Sequence, residues 1–325
     1  MKRLIWRTIG AALVLVSLHA AGQSYPAQPI TAIVGFAAGG SADATSRVIA
    51  DEAKKILGVD IVVQNKPGAS ATVGVSAVMT AKPDGYTIGA TTDSPFLRAP
   101  HMLKLNFDPI ADTTPLVFYA VQRNFIVVRE DSPFKTFDDL LKFAKDNPGK
   151  LTFGHAGVPT TLYLGFAGIA NQLGIKFGNV PFPGDAQTLL AVLGGHVMAA
   201  GISAGPTMPQ IKAGKVRALA VIDGTKRMEE FPDVPTMSEF SKPENVIASP
   251  GMVIFGPKSM PPEVVKKLED AFVRAANSEG FKKWGNDNQT YALARPLTGS
   301  ELKEYLAAES KKMSALIDRL DLRAK

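Results

Sequence analysis

The sequence predicts an α/β protein built on mainly parallel sheets. Two observations carry that expectation. Strand-like and helix-like patterns alternate along the chain, and twice an apolar run passes through a glycine turn straight into a helical pattern. The length of 325 residues, about 300 once a leader is removed, suits two domains that each bury a core.

The leader comes first. Lys2, Arg3 and Arg7 form a basic start, and residues 9–18 form an apolar core too short to span a bilayer. Ala20, Ala21 and Gly22 follow as a small-residue cleavage zone. The pattern predicts an export signal over residues 1–24 and a periplasmic destination.

The first junction follows at once. Residues 29–36 read as a strand, Ala37-Ala38-Gly39-Gly40 as a turn, and Ser41 stands at a helix N-cap position. Ala44, Val48, Ile49, Ala53, Ile56 and Leu57 then recur at helical spacing, and Gly58 closes the helix. Such a junction leaves the first N–H groups of a helix aimed at one spot, and the helix dipole favours an anion there. Two glycines let a ligand approach the backbone closely. The expected role of Ala37, Ala38, Gly39, Gly40 and Ser41 is to give backbone N–H bonds and one hydroxyl to a carboxylate. Asp43 needs only its favourable place in the first helical turn.

Further units alternate. Residues 61–63 read as a second strand, and Lys82-Pro83-Asp84-Gly85 turns into a third, which ends at Thr91-Thr92-Asp93-Ser94-Pro95. Thr136 with Asp139 resembles a capping box opening a helix that stops at Asn147-Pro148-Gly149. The second junction spans residues 151–173. A strand over 151–155 runs through Ala156-Gly157-Val158-Pro159, and Thr160 or Thr161 caps a helix carrying Leu162, Phe166, Ile169, Ala170 and Leu173. Residues 185–193 form a short helix, and 196–201 and 216–222 read as buried strands. Pro261-Pro262 opens a helix through Ala276, and Thr298 with Glu301 caps a long terminal helix. If each junction belongs to one lobe, a cleft between them has a helix N-terminus on both walls.

Composition excludes several classes. Without Lys2, Arg3 and Arg7, Lys plus Arg falls from 36 to 33 against 30 Asp plus Glu, so the net charge drops from +6 to +3. That is too mild for a nucleic-acid binder, yet it suits steering of anionic ligands. The chain has no cysteine, so disulfides, thiolate chemistry and cysteine-held metals are out. His101, His155 and His196 lack the helical spacing of a metal site, and no phosphate-binding or dinucleotide loop occurs, so no metal or cofactor is expected. Gly201-Ile202-Ser203-Ala204-Gly205 matches a nucleophile elbow. In such hydrolases the triad histidine follows the serine, whereas all three of these histidines precede Ser203. An enzyme is therefore not expected, and a serine hydrolase using Ser203 stays as the minor alternative.

The first junction, Asn65-Lys66-Pro67-Gly68-Ala69-Ser70-Ala71-Thr72-Val73-Gly74 and Phe231-Pro232-Asp233-Val234-Pro235-Thr236, in this order and spacing, resemble the Bug/TctC family. These are extracytoplasmic solute receptors of tripartite tricarboxylate transporters, and the resemblance covers nearly all of the chain after residue 24. It implies a two-lobe, type II periplasmic binding fold, with residues 25–122 plus 250–325 in one lobe and 123–249 in the other. It also implies a small organic carboxylate as ligand and a transporter with a large and a small subunit as partner. Delivery of the loaded state to a periplasmic sensor is the other reading.

The resemblance places Thr92, Asp93 and Ser94 along the cleft, and Ser203 near it. Two stretches depart from the family pattern. Where a Gly-x-Gly-Ser with a nearby His is usual, this chain has Gly157, Pro159, Thr160, Thr161 and Tyr163, which removes one N–H and the imidazole. Where Tyr-Lys-Gly-Gly is common, it has Phe182-Pro183-Gly184-Asp185. Asp185 there is expected either to cap its own helix or to pair a cationic or hydroxyl group of the ligand. The changes weigh against a highly charged, citrate-like ligand and toward a monocarboxylate or aromatic acid. Arg98 and Arg123 are each either simply solvated, as most arginines are, or able to grip a carboxylate with two parallel bonds.

Overall fold

The computed structural model describes residues 25–242 and 245–323; the export signal read over residues 1–24 lies outside the described residues. In chain order the elements are β1 (Ile30–Val34), α1 (Ser41–Leu57), β2 (Ile61–Asn65), α2 (Thr72–Met79), β3 (Thr87–Thr92), α3 (Ser94–Leu97), α4 (Ala99–Met102) and β4 (Thr113–Gln122). Then come β5 (Asn124–Arg129), α5 (Phe137–Asp146), β6 (Thr152–His155), α6 (Thr161–Gln172), β7 (Gly178–Pro181), α7 (Asp185–Leu193), β8 (Ala199–Ser203), α8 (Ala204–Lys212) and β9 (Val216–Val221). The chain closes with β10 (Gly251–Pro257), α9 (Pro262–Ala276), α10 (Glu279–Asp287), β11 (Thr290–Thr298) and α11 (Gly299–Arg319).

Two sheets organise these elements into two lobes. One has strand order β11-β4-β10-β3-β1-β2, the other β7-β6-β8-β5-β9. The chain crosses from the first lobe to the second between β4 and β5 and returns between β9 and β10. Both sheets are mixed, which corrects the expectation of mainly parallel ones. β1 pairs with β2 and β3 in parallel, and β6 with β7 and β8. β10 runs against β3 and β4, and β5 against β8 and β9. The reason lies in the crossings. β5 and β10 are the first strands after a crossing, so they start at the face between the lobes where β3, β4 and β8 end.

Each sheet is covered on both faces. In the first lobe Ile30, Ile49, Ile88, Leu116 and Phe272 pack beneath α1 and α9, while Phe96, Phe118, Phe255, Leu302 and Leu306 pack beneath α11 on the other face. In the second lobe Phe125, Leu189, Val192 and Met208 fill the α7–α8 side, and Leu140, Phe153 and Phe166 the α5–α6 side. The far end of α11 leaves its own lobe. Leu316, Ile317 and Leu320 pack against Leu164 and Ala167 of α6, and the Asn171 amide donates to the Leu320 carbonyl at 3.2 Å.

Local details follow from capping chemistry. The capping box at Thr136 and Asp139 forms in both directions. Gly58 ends α1 with φ +75°, a left-handed turn that glycine enters without a Cβ clash. The first strand of residues 196–201 starts later than expected, at Ala199, because the N–H groups of His196 and Val197 bond back to Ala191 and close α7. At the terminal helix Thr298 is the N-cap residue but makes no side-chain capping bond, and Glu301 pairs with Arg295 instead.

Candidate functional site

The helices that follow β1 and β6 start at the facing edges of the two sheets, so their N-termini point into the space between the lobes. A cavity lies there, with Gly40, Ala42, Thr92 and Ser94 from one lobe and Thr160, Thr161, Asp185 and Ser203 from the other. Gln122 and Asn124, either side of the crossing, form its base. Its volume is about 30 Å³, room for only a few waters. The lobes are therefore shut on each other at this point.

The lobe-one wall is built on the first junction. Gly40, in extended conformation, is the N-cap, and Ser41 is the first helical residue, which corrects the assignment of Ser41 as cap. The Ser41 hydroxyl is drawn away to Gln122 Oε1 at 2.6 Å, and its N–H donates to Asp185 Oδ2 at 3.1 Å. The Gly39 N–H is taken by Asp43 at 3.0 Å and the Ala37 N–H by the Pro183 carbonyl at 3.3 Å. Ala38 and Gly39 are exposed rather than facing the cavity.

Asp185 is the chemical centre of the opposite wall. It is the first residue of α7, whose N-cap is Gly184, and its side chain makes no cap to that helix. Instead it spans the cleft, accepting from the Ser41 N–H and, at 3.4 Å, from the Ser203 N–H. Burial raises its pKa, with the hydrogen bonds from Ser41 and Ser203 acting the other way. Ser203 also accepts from Gln122 Nε2 at 3.2 Å, and no imidazole is among its described hydrogen-bond partners.

Arg98 lines the cavity without offering it a free charge. Its guanidinium pairs with Asp93, both almost fully buried, and its Nε donates to the Pro159 carbonyl at 3.1 Å. Asp93 sits behind it and accepts from the Gly251 N–H at 2.8 Å. Ser94 Oγ donates to the same Pro159 carbonyl, so two lobe-one side chains hold the lobe-two turn. Arg123 points elsewhere, to Asp223.

The second junction supplies the α6 N-terminus. Thr160 caps it, accepting from the Tyr163 N–H. Tyr163 itself does not reach the cavity; its ring packs at 4.8 Å on His155, in the cluster under α11. That orientation follows from helix geometry, which turns the third residue of α6 toward the His155 side. Gly157 and Phe182 face an adjoining groove of about 370 Å³ that shares Phe36 and Ala156 with the cavity. There Ala69, Ser70 and Ala71 all adopt positive φ, between +43° and +76°, a strained run for residues with a Cβ. Ser70 presses on Gly157, where a Cβ would come within 2.1 Å of its hydroxyl.

Two cavity atoms sets are unpaired. Asn124 is fully buried and neither its Oδ1 nor its Nδ2 has a partner; Thr161 Oγ1 is likewise orphaned. Buried polar groups are rarely left so, and whatever fills the cavity, ligand or water, is their natural partner. Sequence reasoning placed Gln122 and Asn124 at the crossing between the lobes but gave them no part in the site, because an Asn or Gln at a strand end carries no motif; their place in the cavity shows only in the structure. Replacing Asn124 by leucine is expected to raise the stability of the unliganded protein by about 1 kcal/mol, since an unsatisfied amide is removed. The same change should abolish ligand-induced stabilisation, and thermal unfolding with and without ligand reads both.

Comparison with known proteins bears on the family and the fold. Residues 45–322 match the model of the tripartite tricarboxylate transporter family receptor. The chain is 35% identical over 317 residues to the UPF0065 protein in the gbd 5' region of Cupriavidus necator, covering 96% of this chain and 94% of that one. The structure of the periplasmic binding protein BugD superposes with a TM-score of 0.86 at 27% identity, over 93% of this chain and 100% of BugD. That of MatC from Rhodopseudomonas palustris with bound malate gives 0.83 at 25% identity, over 90% and 100%.

Proposed function

This chain belongs to the tripartite tricarboxylate transporter receptor family, and on that premise we propose that it is an exported receptor that closes on a small organic carboxylate and presents it to a membrane transporter of that type. The observation that carries the reading is the cavity itself. A helix N-terminus from each lobe meets there, beside a fully buried Asn124 whose amide has no partner. MatC, which aligns along most of the chain, holds malate, and that supports a carboxylate as the ligand class.

In this reading residues 25–122 and those from 250 onward form one jaw and 123–249 the other. The crossings at 122–124 and 249–250 flex as the jaws part. The strap made by the end of α11 limits how far they part. Binding rather than turnover is the activity in this reading: the Ser203 hydroxyl accepts from Gln122 Nε2, and no imidazole is among its described partners to activate it.

Thermal unfolding of the protein purified from a periplasmic extract, stripped by unfolding and refolding, tests this against a panel of carboxylates. A ligand at a hundredfold excess over its Kd adds about 2.7 kcal/mol of stability, which for a chain this long is a rise of several degrees in Tm. A saturable rise with an acid, and none with its methyl ester, is the expected result. No rise with any acid defeats the reading. N-terminal sequencing of the same material locates the cleavage site, and retention of residues 1–24 would overturn export.

A further inference from the structure

The anion seat at the α1 N-terminus is already occupied by the protein. Three N–H groups of the turn are taken: Ala37 gives to the Pro183 carbonyl and Ser41 to the Asp185 carboxylate, both from the opposite lobe, while Gly39 gives to Asp43. The fit is close, since a Cβ on Gly40 would stand 3.4 Å from Asp185. Nor does the cavity hold an uncommitted cation. Among its described lining residues only Arg98 and Asp185 are charged, and Arg98 is neutralised by Asp93.

From these contacts we infer that Asp185 determines the ligand class: its carboxylate takes the place of one ligand carboxylate, so the receptor selects a monocarboxylate whose other end donates a hydrogen bond. The inference rests on the receptor reading above. The ligand's one carboxylate goes to the lobe-two wall, where the α6 N-terminus stands beside two independent signs of an awaited partner. These are Asn124, with both amide atoms unpaired, and Thr161 Oγ1. An N–H, ammonium or hydroxyl at the far end meets Asp185, whose two oxygens retain lone pairs beyond the bonds from Ser41 and Ser203. A second carboxylate at that end would face Asp185 across a shut, water-poor cleft, where two carboxylates can stay together only if one of them takes up a proton.

The test is calorimetric titration, at neutral pH, of the stripped receptor with succinate, glutarate and adipate, each against its own monoamide. The two members of a pair match in length and differ in one carboxylate. Wild type is expected to favour the monoamide of the fitting length by on the order of a hundredfold. Asp185→Ser, which removes the charge and opens the seat, should erase or reverse that preference. Asp185→Asn keeps the side-chain size, so it guards against a folding failure of the serine variant, and it should erase the preference too. A wild type that binds the diacid at least as tightly as the monoamide, with the ratio unchanged in both variants, overturns the role of Asp185 and leaves the carboxylate receptor standing. Silence from every diacid and monoamide in all three proteins also overturns it, and the wider carboxylate panel then decides whether the receptor reading falls as well.

Discussion

Arg98→Met is expected to lower the stability of the unliganded protein by about 3–5 kcal/mol, the usual result of removing one partner of a buried ion pair. Arg98 and Asp93 have side chains only 3% and 4% exposed, so the carboxylate left behind cannot recover its hydration. It would keep a single backbone donor, the Gly251 N–H. The substitution also removes the bond from Nε to the Pro159 carbonyl, one of the ties between the lobes. Denaturant unfolding without ligand measures the loss. Arg98→Met combined with Asp93→Asn should recover more than half of it, because no unpaired charge then remains buried. An Arg98→Met protein of wild-type stability that has lost only ligand affinity would make Arg98 a direct ligand contact instead.

Asp223 should give the protein a stability that falls as pH rises from 3.8 to about 6. Burial pushes its pKa from 3.8 up to about 6, while Arg123 and Ser249 pull it down, and one of its oxygens has no partner. Between those two values the folded chain holds a proton that the unfolded chain has released. Stability is therefore greatest below the unfolded value, declines through the window and levels off above about 6. A shift of this size corresponds to about 3 kcal/mol. Asp223→Asn keeps the shape and cannot ionise, so the wild-type minus variant difference isolates the effect from other carboxylates. Glu239, held down to about 2 by Arg227, contributes the opposite slope to the total. The site also lies at the junction of the lobes: Arg123 follows β4, Asp223 follows β9 and Ser249 precedes β10. One cluster thus clasps both crossings between the lobes. A difference curve flat in pH would show that Asp223 is ionised throughout.

The seat at Asp185 adds a different kind of control. Its contacts bridge the lobes with no ligand involved, so they favour the shut arrangement on their own. On the proposed reading, a ligand that donates to Asp185 would keep that bridge, whereas one that competes for the Ser41 N–H would have to break it. Selection would then act through closure as well as through direct contact.

The sequence by itself determined the α/β class, the two junctions and the family. Those signals are local. Helical spacing behind a glycine turn, as from Gly40 to Gly58, or a capping box, as at Thr136, is written in residues close together in the chain. Tertiary structure decided strand direction, because β5 and β10 owe their antiparallel pairing to crossings between lobes and not to their own residues. It decided that Ser41 is not a cap, that Tyr163 turns to His155, and that Arg98 is committed to Asp93. It also brought Asp185 to the N–H of Ser41, 144 residues away. A helix N-terminus shows in sequence as a place where an anion is welcome; which anion arrives there, the ligand's or the protein's own, depends on what the other lobe carries across the cleft.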